Sequence, residues 1–218
     1  TGYRTTTGAP LIEHDDVGMI SFTGGTKGGS AASLSASKKV KPIIMELGGK
    51  SPQIIFRDAD LKLSVNGVIS GIFPVAGHSC ISGSRILVHR NIKDEFTKKL
   101  IEGVKKAKVG HPNDSSTQIG PIANKEQYEF ILSKIESAEK RGLKLLIDGR
   151  KEQKSEGYYI GPTIFDNVPN EDDLAQNEVF GPVASIQTWE DENEVVKIAT
   201  DTIYGLAAGI WTKGTNKA

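Results

Sequence analysis

The sequence predicts an α/β fold with a largely parallel sheet flanked by helices, because strand-like and helix-like segments alternate along it. Short apolar runs such as residues 85–89 end at polar or glycine-rich segments, as strands do. Between these runs, apolar residues recur at helical spacing, for example Ile92, Phe96, Leu100 and Val104. No internal repeat or low-complexity linker interrupts the alternation. Helical crossovers of this kind are what parallel strands need to follow one another.

The first part of the chain contains a strand, a turn and a helix, followed by two more strands. The apolar run 17–22 stops at a glycine-rich turn at 24–29, and residues 31–36 follow as a helix. Residues 42–47 and 53–56 are predicted strands. Glu46 therefore lies near a strand end, where α/β proteins place chemistry.

The remainder of the chain continues the same pattern. Apolar residues at helical spacing predict a helix from Leu61 toward Phe73, with Asp60 as its N-cap and Cys80 in the loop beyond it. The other predicted elements are strands at 85–89, 144–147, 162–165 and 183–187, helices at 92–104, 126–140 and 193–199, and a polar loop at 150–158.

The balanced charge of the chain favours an enzyme that acts on small molecules. The 27 basic and 27 acidic side chains cancel, and no basic block appears, so nucleic acid and anionic membrane surfaces are poor partners. No apolar run approaches the ~20 residues that span a bilayer, and the polar start does not resemble a secretion signal, so we expect a cytoplasmic protein. The single cysteine cannot form an internal disulfide, in agreement with a reducing compartment.

Cys80 and Glu46 are the candidate catalytic pair. A thiol attacks carbonyl carbon as thiolate, and a carboxylate nearby can activate water for a second step, so the pair suggests covalent catalysis. A lone cysteine is also commonly a small buried hydrophobe, and a glutamate at a strand end is commonly a solvated charge. The small residues around Cys80 suit the approach of a substrate. The apolar neighbours of Glu46 predict a partly desolvated carboxylate with a raised pKa.

Five segments together resemble the aldehyde dehydrogenase superfamily, in the same order and over nearly the whole chain. They are Phe22-Thr23-Gly24-Gly25-Thr26, Glu46-Leu47-Gly48-Gly49-Lys50-Ser51-Pro52, Gly77-His78-Ser79-Cys80, Glu178-Val179-Phe180-Gly181-Pro182 and Tyr204-Gly205-Leu206-Ala207-Ala208-Gly209. The resemblance implies the family fold, with a partial Rossmann-type segment at the N-terminus. Two positions depart from the family pattern: His78 stands in place of a glutamine and Val75 in place of a common asparagine.

The resemblance implies oxidation of an aldehyde to a carboxylic acid with NAD or NADP. Cys80 would form a thiohemiacetal and then a thioester, and water activated by Glu46 would release the acid. The backbone N–H of Cys80 would provide half of an oxyanion hole.

The cofactor residues implied by the resemblance fall in three of the matching segments. Thr23, Gly24 and Gly25 would hold the dinucleotide at a helix N-terminus, although the turn lacks the Gly-x-Gly-x-x-Gly fingerprint. Leu47 belongs to the same set. Glu178 would accept hydrogen bonds from the nicotinamide ribose, which suits a carboxylate facing a diol, and Phe180 would pack beside the nicotinamide.

The family also suggests how the chain is divided. Residues 1–48 would be the C-terminal part of an NAD(P)-binding domain, and residues 49–218 a catalytic domain that is incomplete at its C-terminus. We therefore expect an internal piece of a longer protein, itself a homo-oligomer (dimer or tetramer). The family's oxyanion-hole asparagine and adenosine-binding lysine lie upstream of the matching segments, so we expect no reduction of NAD by these residues alone.

Two other functions stay open at this point: a remnant without dehydrogenase activity, and a hydrolase of esters or thioesters that uses Cys80 and Glu46 without NAD. Two further readings are excluded. Gly49-Lys50-Ser51 resembles the end of a phosphate-binding loop, but that motif needs glycine where this chain has Ile44. The four histidines lack the paired spacing typical of zinc sites, so no metal is expected.

Overall fold

The computed structural model describes residues 1–152 and 156–217. The chain folds as two compact units, Thr1–Gly48 and Gly49–Ala218. In the smaller unit a short π-helical turn, Arg4–Gly8, precedes helix α1 (Ala9–Glu13), neither of which the sequence predicted.

The smaller unit also contains two parallel strands joined by a helix. Its elements are β1 (Ile20–Thr23), α2 (Thr26–Ser37) and β2 (Ile43–Glu46). The register places Thr23 opposite Glu46, and the N–H of Gly24 donates to the carbonyl of Glu46 at 3.0 Å. The predicted strand at 17–22 is confirmed as β1, which is shorter and runs from Ile20 to Thr23.

Helix α2 begins at Thr26, inside the predicted glycine-rich turn, and not at residue 31. Gly28 and Gly29 lie within the helix because neighbouring side chains occupy the space that a Cβ would take. A Cβ on Gly28 would lie 2.9 Å from the ring of Phe22, and one on Gly29 would lie 2.5 Å from Leu47. These two glycines therefore serve close packing of the helix on the strands, and the turn itself is shorter than predicted.

The larger unit is built on a six-stranded sheet in the order β5-β6-β7-β4-β3-β8. All neighbouring strands are parallel except β5 and β6, which are antiparallel. The predicted largely parallel sheet is confirmed, and β8 is an additional strand. The strands are β3 (Pro52–Ile55), β4 (Arg85–His89), β5 (Lys144–Ile147), β6 (Thr163–Asp166), β7 (Val183–Trp189) and β8 (Gly209–Trp211).

The helices of the larger unit agree closely with their predicted positions. Asp60 caps the first of them, accepting hydrogen bonds from the N–H groups of Lys62 and Leu63 at 2.9 and 3.0 Å. A short helix at Asp173–Gln176 was not predicted. The helices are α3 (Leu61–Ile72), α4 (Lys93–Val104), α5 (Lys125–Lys140), α6 (Asp173–Gln176) and α7 (Glu192–Thr200).

Two apolar clusters include residues of the sheet of the larger unit. The larger cluster includes the buried side chains of α3, α4 and α5, and a smaller one joins Ile54, Phe56, Leu87, Trp189 and Val195. Every residue of β4 is buried, as expected for a strand inside a covered parallel sheet. The predicted loop at 150–158 begins with a helical turn at Gly149–Glu152, and residues 153–155 lie outside the described part of the chain.

Candidate active site

Three loops of the larger unit meet because of the strand order. Gly49 to Ser51 lead into β3, the Cys80 loop leads into β4, and residues 178–182 lead into β7. Strand β4 lies between β3 and β7, and all three are parallel. Their preceding loops therefore lie at the same edge of the sheet. This is the amino-terminal edge of the sheet.

Gly49 connects the other two loops. Its N–H donates a hydrogen bond to Oε1 of Glu178 at 3.2 Å. A Cβ at this position would lie 2.4 Å from the carbonyl oxygen of Cys80, well inside contact distance. Only glycine permits this approach without a shift of backbone. One backbone residue thus fixes both the cysteine loop and the glutamate.

A second glycine contact joins the cysteine loop to residues 178–182. Gly77 has φ +72°, and a Cβ there would lie 2.2 Å from the carbonyl of Gly181. The two residues before it, Val75 and Ala76, also have positive φ (55° and 52°). Non-glycine residues in this region are strained, and such strain is concentrated at functional sites. The backbone leading to Cys80 is therefore held in a left-handed conformation by packing.

Cys80 lies in the turn that follows, and its side chain is partly exposed. The turn is closed by a hydrogen bond from the N–H of Ser82 to the carbonyl of Ser79 at 3.1 Å. Within residues 1–152 and 156–217, no group accepts a hydrogen bond from the N–H of Cys80. A thiol beside an unpaired backbone donor can attack a carbonyl group and stabilise the resulting oxyanion.

Glu178 differs from the acidic residues before it. Asp172 pairs with Arg141 and Asp173 with Lys134, each at 2.8 Å, whereas Glu178 is half-buried and bonds to Gly49. Burial raises the pKa of the Glu178 carboxyl, while the Gly49 N–H and the nearby charge of Lys50 act in the opposite direction. The carboxylate is thus a positioned acceptor and not part of an ordinary acidic loop.

Phe180 is an exposed residue whose ring and backbone are both fixed by neighbouring side chains. It has φ +51°, and its ring stacks on His78 with centroids 5.4 Å apart and planes 21° from parallel. The side-chain amide of Gln127 donates to the carbonyls of Val179 and Phe180 at 2.9 and 3.0 Å. Burial lowers the pKa of His78, so its ring is neutral at pH 7. The histidine that replaces the family's glutamine therefore adds an uncharged ring to the loop that carries Cys80.

Lys50 was not identified as a candidate from the sequence. It is 3 % exposed, and burial, followed by repulsion from Arg85, lowers its pKa to about 7. Arg85 is itself fully buried and donates to the carbonyls of Ile198 and Ala199 near the end of α7. The sequence did contain a signal for this burial. Lys50 lies between the glycine pair Gly48-Gly49 and the predicted strand at 53–56, a position that leaves little access to water.

The other predicted site residues belong to the smaller unit. Thr23 ends β1, Gly25 caps helix α2 without a side-chain hydrogen bond, and no atom lies within 4 Å of a Cβ placed on Gly25. Gly24 bonds to the Glu46 carbonyl, and Leu47 packs against Gly29. The N–H groups at this helix start carry a partial positive charge, which suits a phosphate of a dinucleotide.

Glu46 is exposed, so the expected desolvation of its carboxylate is wrong for this structure. Side chains alternate along a strand, and in β2 Ile44 and Glu46 share the exposed face. Apolar neighbours in the sequence therefore did not bury it.

The larger unit brings together Cys80, Glu178 and Phe180, and the smaller unit brings together Thr23, Gly24, Gly25, Glu46 and Leu47. In the described part of the chain, no group of three or more His, Cys, Asp or Glu side chains could hold a metal ion. No helix among those residues has the length and apolar character needed to cross a membrane.

Comparison with known proteins identifies the family. The profile described as "Aldehyde dehydrogenase family" matches residues 1–218, so the chain belongs to the aldehyde dehydrogenase family. It is similar to Aldehyde dehydrogenase 1 of Tanacetum cinerariifolium, with 42 % identity over all of this chain and 44 % of the relative. Aldehyde dehydrogenase, cytosolic 1 of Rattus norvegicus is also 42 % identical over all of this chain and 43 % of its own length.

Solved structures agree with this assignment. The NAD+ complex of an aldehyde dehydrogenase from Bacillus cereus matches with a TM-score of 0.96 and 34 % identity, over 99 % of this chain and 44 % of that one. Betaine aldehyde dehydrogenase from Staphylococcus aureus, also in complex with NAD+, matches with a TM-score of 0.95 and 37 % identity, over 100 % of this chain and 44 % of that one. The chain thus spans less than half the length of these relatives.

Proposed function

We propose that this chain supplies the nucleophile and the base of an NAD(P)-dependent aldehyde dehydrogenase, which oxidises an aldehyde to a carboxylic acid. The observation that carries this proposal is the position of Gly49, whose backbone lies against Cys80 and donates to Glu178. A thiol for covalent catalysis and a carboxylate suited to a ribose diol are thereby held by one residue.

Cys80 acts first. Its thiolate forms a bond to the carbonyl carbon of the aldehyde, and the carbonyl π-electrons move to oxygen. The unpaired N–H of Cys80 is available to that oxygen, and one such donor is worth about 100–1000-fold in rate. After oxidation of the adduct, Cys80 carries the acyl group as a thioester.

Glu46 acts second, as general base. Its carboxylate accepts a proton from water while the water oxygen bonds to the thioester carbon, and the Cys80 thiolate then leaves with the electron pair. The exposure of Glu46 supports access of water to this carboxylate. The carboxylic acid is released and the thiolate is regenerated.

The cofactor, NAD or NADP, supplies the oxidising equivalent of the reaction when it is bound. The free N–H groups at the start of α2, with Thr23, Gly24 and Gly25, fit its phosphates, and Leu47 packs beside them. Glu178 is an acceptor for the ribose hydroxyls, and the partly exposed ring of Phe180 offers an apolar face to the nicotinamide. The NAD+ complexes among the similar structures support this part of the proposal.

The two units take separate roles in this proposal. Residues 1–48 are the C-terminal part of the cofactor domain, and residues 49–218 belong to the catalytic domain. The substrate is a small aldehyde, the whole protein is a homo-oligomer, and the rat relative's printed name supports a cytosolic location.

A second candidate function is hydrolysis of activated esters without cofactor. The thiol and the N–H of Cys80 favour it, because both belong to one turn of the larger unit and neither needs a dinucleotide. Acylation of Cys80 by an ester involves no oxidation.

One pair of assays, carried out on the whole protein, distinguishes the two functions. Aldehyde-dependent formation of NADH or NADPH, followed by absorbance and abolished in Cys80→Ala, supports the dehydrogenase. Ester hydrolysis abolished by the same substitution, without any aldehyde-dependent NADH or NADPH, supports the hydrolase. Activity of either kind that persists in Cys80→Ala contradicts both.

A further inference from the structure

Lys50 is a buried amine whose role the proposed function does not explain. It is 3 % exposed, and among the described residues none accepts a hydrogen bond from its side chain or pairs with it within 4.0 Å. Buried lysines are normally paired, because an isolated ammonium group loses its hydration. An unpaired one is correspondingly driven toward the neutral, nucleophilic form.

The charges around Lys50 act in both directions. Arg85 and Lys134 oppose its protonation, while Glu178 and Asp173 favour it. Burial has the largest effect, and together these lower the pKa of Lys50 from 10.5 to about 7. Near neutral pH a large fraction of the side chain is therefore the free amine.

A cavity lined in part by Lys50 has space for a ligand. Its volume is about 360 Å³, and it lies entirely within the larger unit. Its walls are mainly apolar, and Lys50 lies among residues that include Pro52, Ile54, Val196, Leu206 and Ala207. This volume accommodates a small aliphatic molecule.

We propose that Lys50 is a carbonyl-reactive site distinct from Cys80, where a small apolar aldehyde in this cavity condenses with the amine to form an imine. The Nζ lone pair bonds to the carbonyl carbon, and the carbonyl oxygen takes up protons and leaves as water while the C=N bond forms. No oxidant or reductant is consumed. The site goes beyond the proposed function and does not depend on Cys80.

Reductive trapping tests the proposal. The folded chain is incubated at pH 7 with butanal and sodium cyanoborohydride, which converts imines to stable secondary amines, and the modified lysines are mapped by mass spectrometry. The free-amine fraction at pH 7 is about a thousand-fold higher for a pKa near 7 than for an ordinary lysine. The lower basicity of the Lys50 amine makes it a weaker nucleophile, and burial restricts access to it, so the gain in rate is smaller than the gain in free amine. We expect Lys50 to be modified at least about ten-fold faster than an exposed lysine such as Lys98.

Matched variants and a bulky probe assign the adduct. Lys50→Arg should remove the fast-forming adduct and Lys98→Arg should retain it. Cys80→Ala should also retain it, which separates this site from the proposed oxidation. An aldehyde attached to a dextran polymer, too large to enter a cavity of about 360 Å³, should modify exposed lysines in preference to Lys50.

The peptide map of the unsubstituted chain decides the matter even if Lys50→Arg does not fold. Modification of Lys50 no faster than that of Lys98 overturns the proposal. Loss of the adduct in Cys80→Ala, or equally fast reaction of Lys50 with the bulky aldehyde, overturns it as well.

Discussion

The backbone N–H of Gly49 donates a hydrogen bond to the carboxylate of Glu178, 3.2 Å away and 129 residues later in the chain. The same glycine lies against the carbonyl of Cys80. Parallel pairing of β3, β4 and β7 makes this possible, because it places the loops before the three strands at one edge. The candidate site of the larger unit is thus a consequence of strand order.

Gly49→Ala should disrupt this arrangement. The added methyl group would lie 2.4 Å from the Cys80 carbonyl oxygen, so backbone must shift. We expect a loss of about 1–3 kcal/mol in the free energy of unfolding, the usual cost of overpacking, together with slower acylation of Cys80. Urea denaturation and an ester-acylation assay measure the two effects.

Gly120→Ala is the matched control, since no atom lies within 4 Å of a Cβ placed there. Equal stability and equal acylation in both variants would show that the close approach of Gly49 to Cys80 has no importance.

Lys50 should make stability depend on pH. Its pKa is about 7 in the folded chain and 10.5 as an ordinary lysine, so the unfolded chain binds more protons between these values. Stability should therefore rise from pH 7 to pH 10.5 and be independent of this group below pH 7. Since one pKa unit is worth about 1.4 kcal/mol, the effect is at most a few kcal/mol.

Denaturation of the chain and of Lys50→Met at several pH values measures this effect. The variant should show a smaller rise over the same range. Parallel pH profiles would contradict the burial of a protonatable Lys50.

Glu178 should have the opposite dependence. Burial raises its pKa above 4.5, so its protonated form is favoured by folding. The stability it contributes is present below pH 4.5 and lost as the pH rises through the folded pKa. Glu178→Gln, which retains an acceptor for the Gly49 N–H, should lack this loss. Glu178→Ala should cost about 1–3 kcal/mol, because a buried N–H loses its partner.

The buried carboxylate of Asp166 depends on Lys93. Asp166 is 2 % exposed, and Lys93 lies 2.8 Å from it, with Lys144 more distant at 3.4 Å. Removal of one partner from a buried pair leaves a poorly compensated charge, so Lys93→Met should cost about 2–4 kcal/mol. Lys99→Met, which removes only a surface pair with Glu95, should change stability by less than about 0.5 kcal/mol. Denaturation curves of the two variants compare these costs.

Periodicity predicted most of the larger unit. Helices α3, α4, α5 and α7 and strands β4 and β5 were placed within a residue or two, because each combines a clear apolar period with a cap or turn. Helix α6 and strand β8 were missed because they are too short, at four and three residues, to show a period.

The local structure of the candidate site was harder to predict from the sequence. The predicted start of α2 was wrong because Gly28 and Gly29 indicated a turn. In the structure both glycines lie in the helix and allow it to pack closely against Phe22 and Leu47. The exposure of Glu46 depends on which face of β2 is covered, and the burial of Lys50, which lies between β2 and β3, depends on segments that are distant in the sequence. The resemblance identified the residue types, but the approach of Gly49 to both Cys80 and Glu178 follows from pairing over long sequence separations.

Acylation of Cys80 tests the central claim most directly. The chain is mixed with p-nitrophenyl acetate, nitrophenolate release is followed by absorbance, and acid-quenched samples are mapped by mass spectrometry. We predict a burst stoichiometric with the chain and an acetyl group on Cys80 that persists longer in Glu46→Gln, because a general base typically contributes about 100–10,000-fold. An unchanged burst in Cys80→Ala, or acetyl groups only on other residues, would contradict the account.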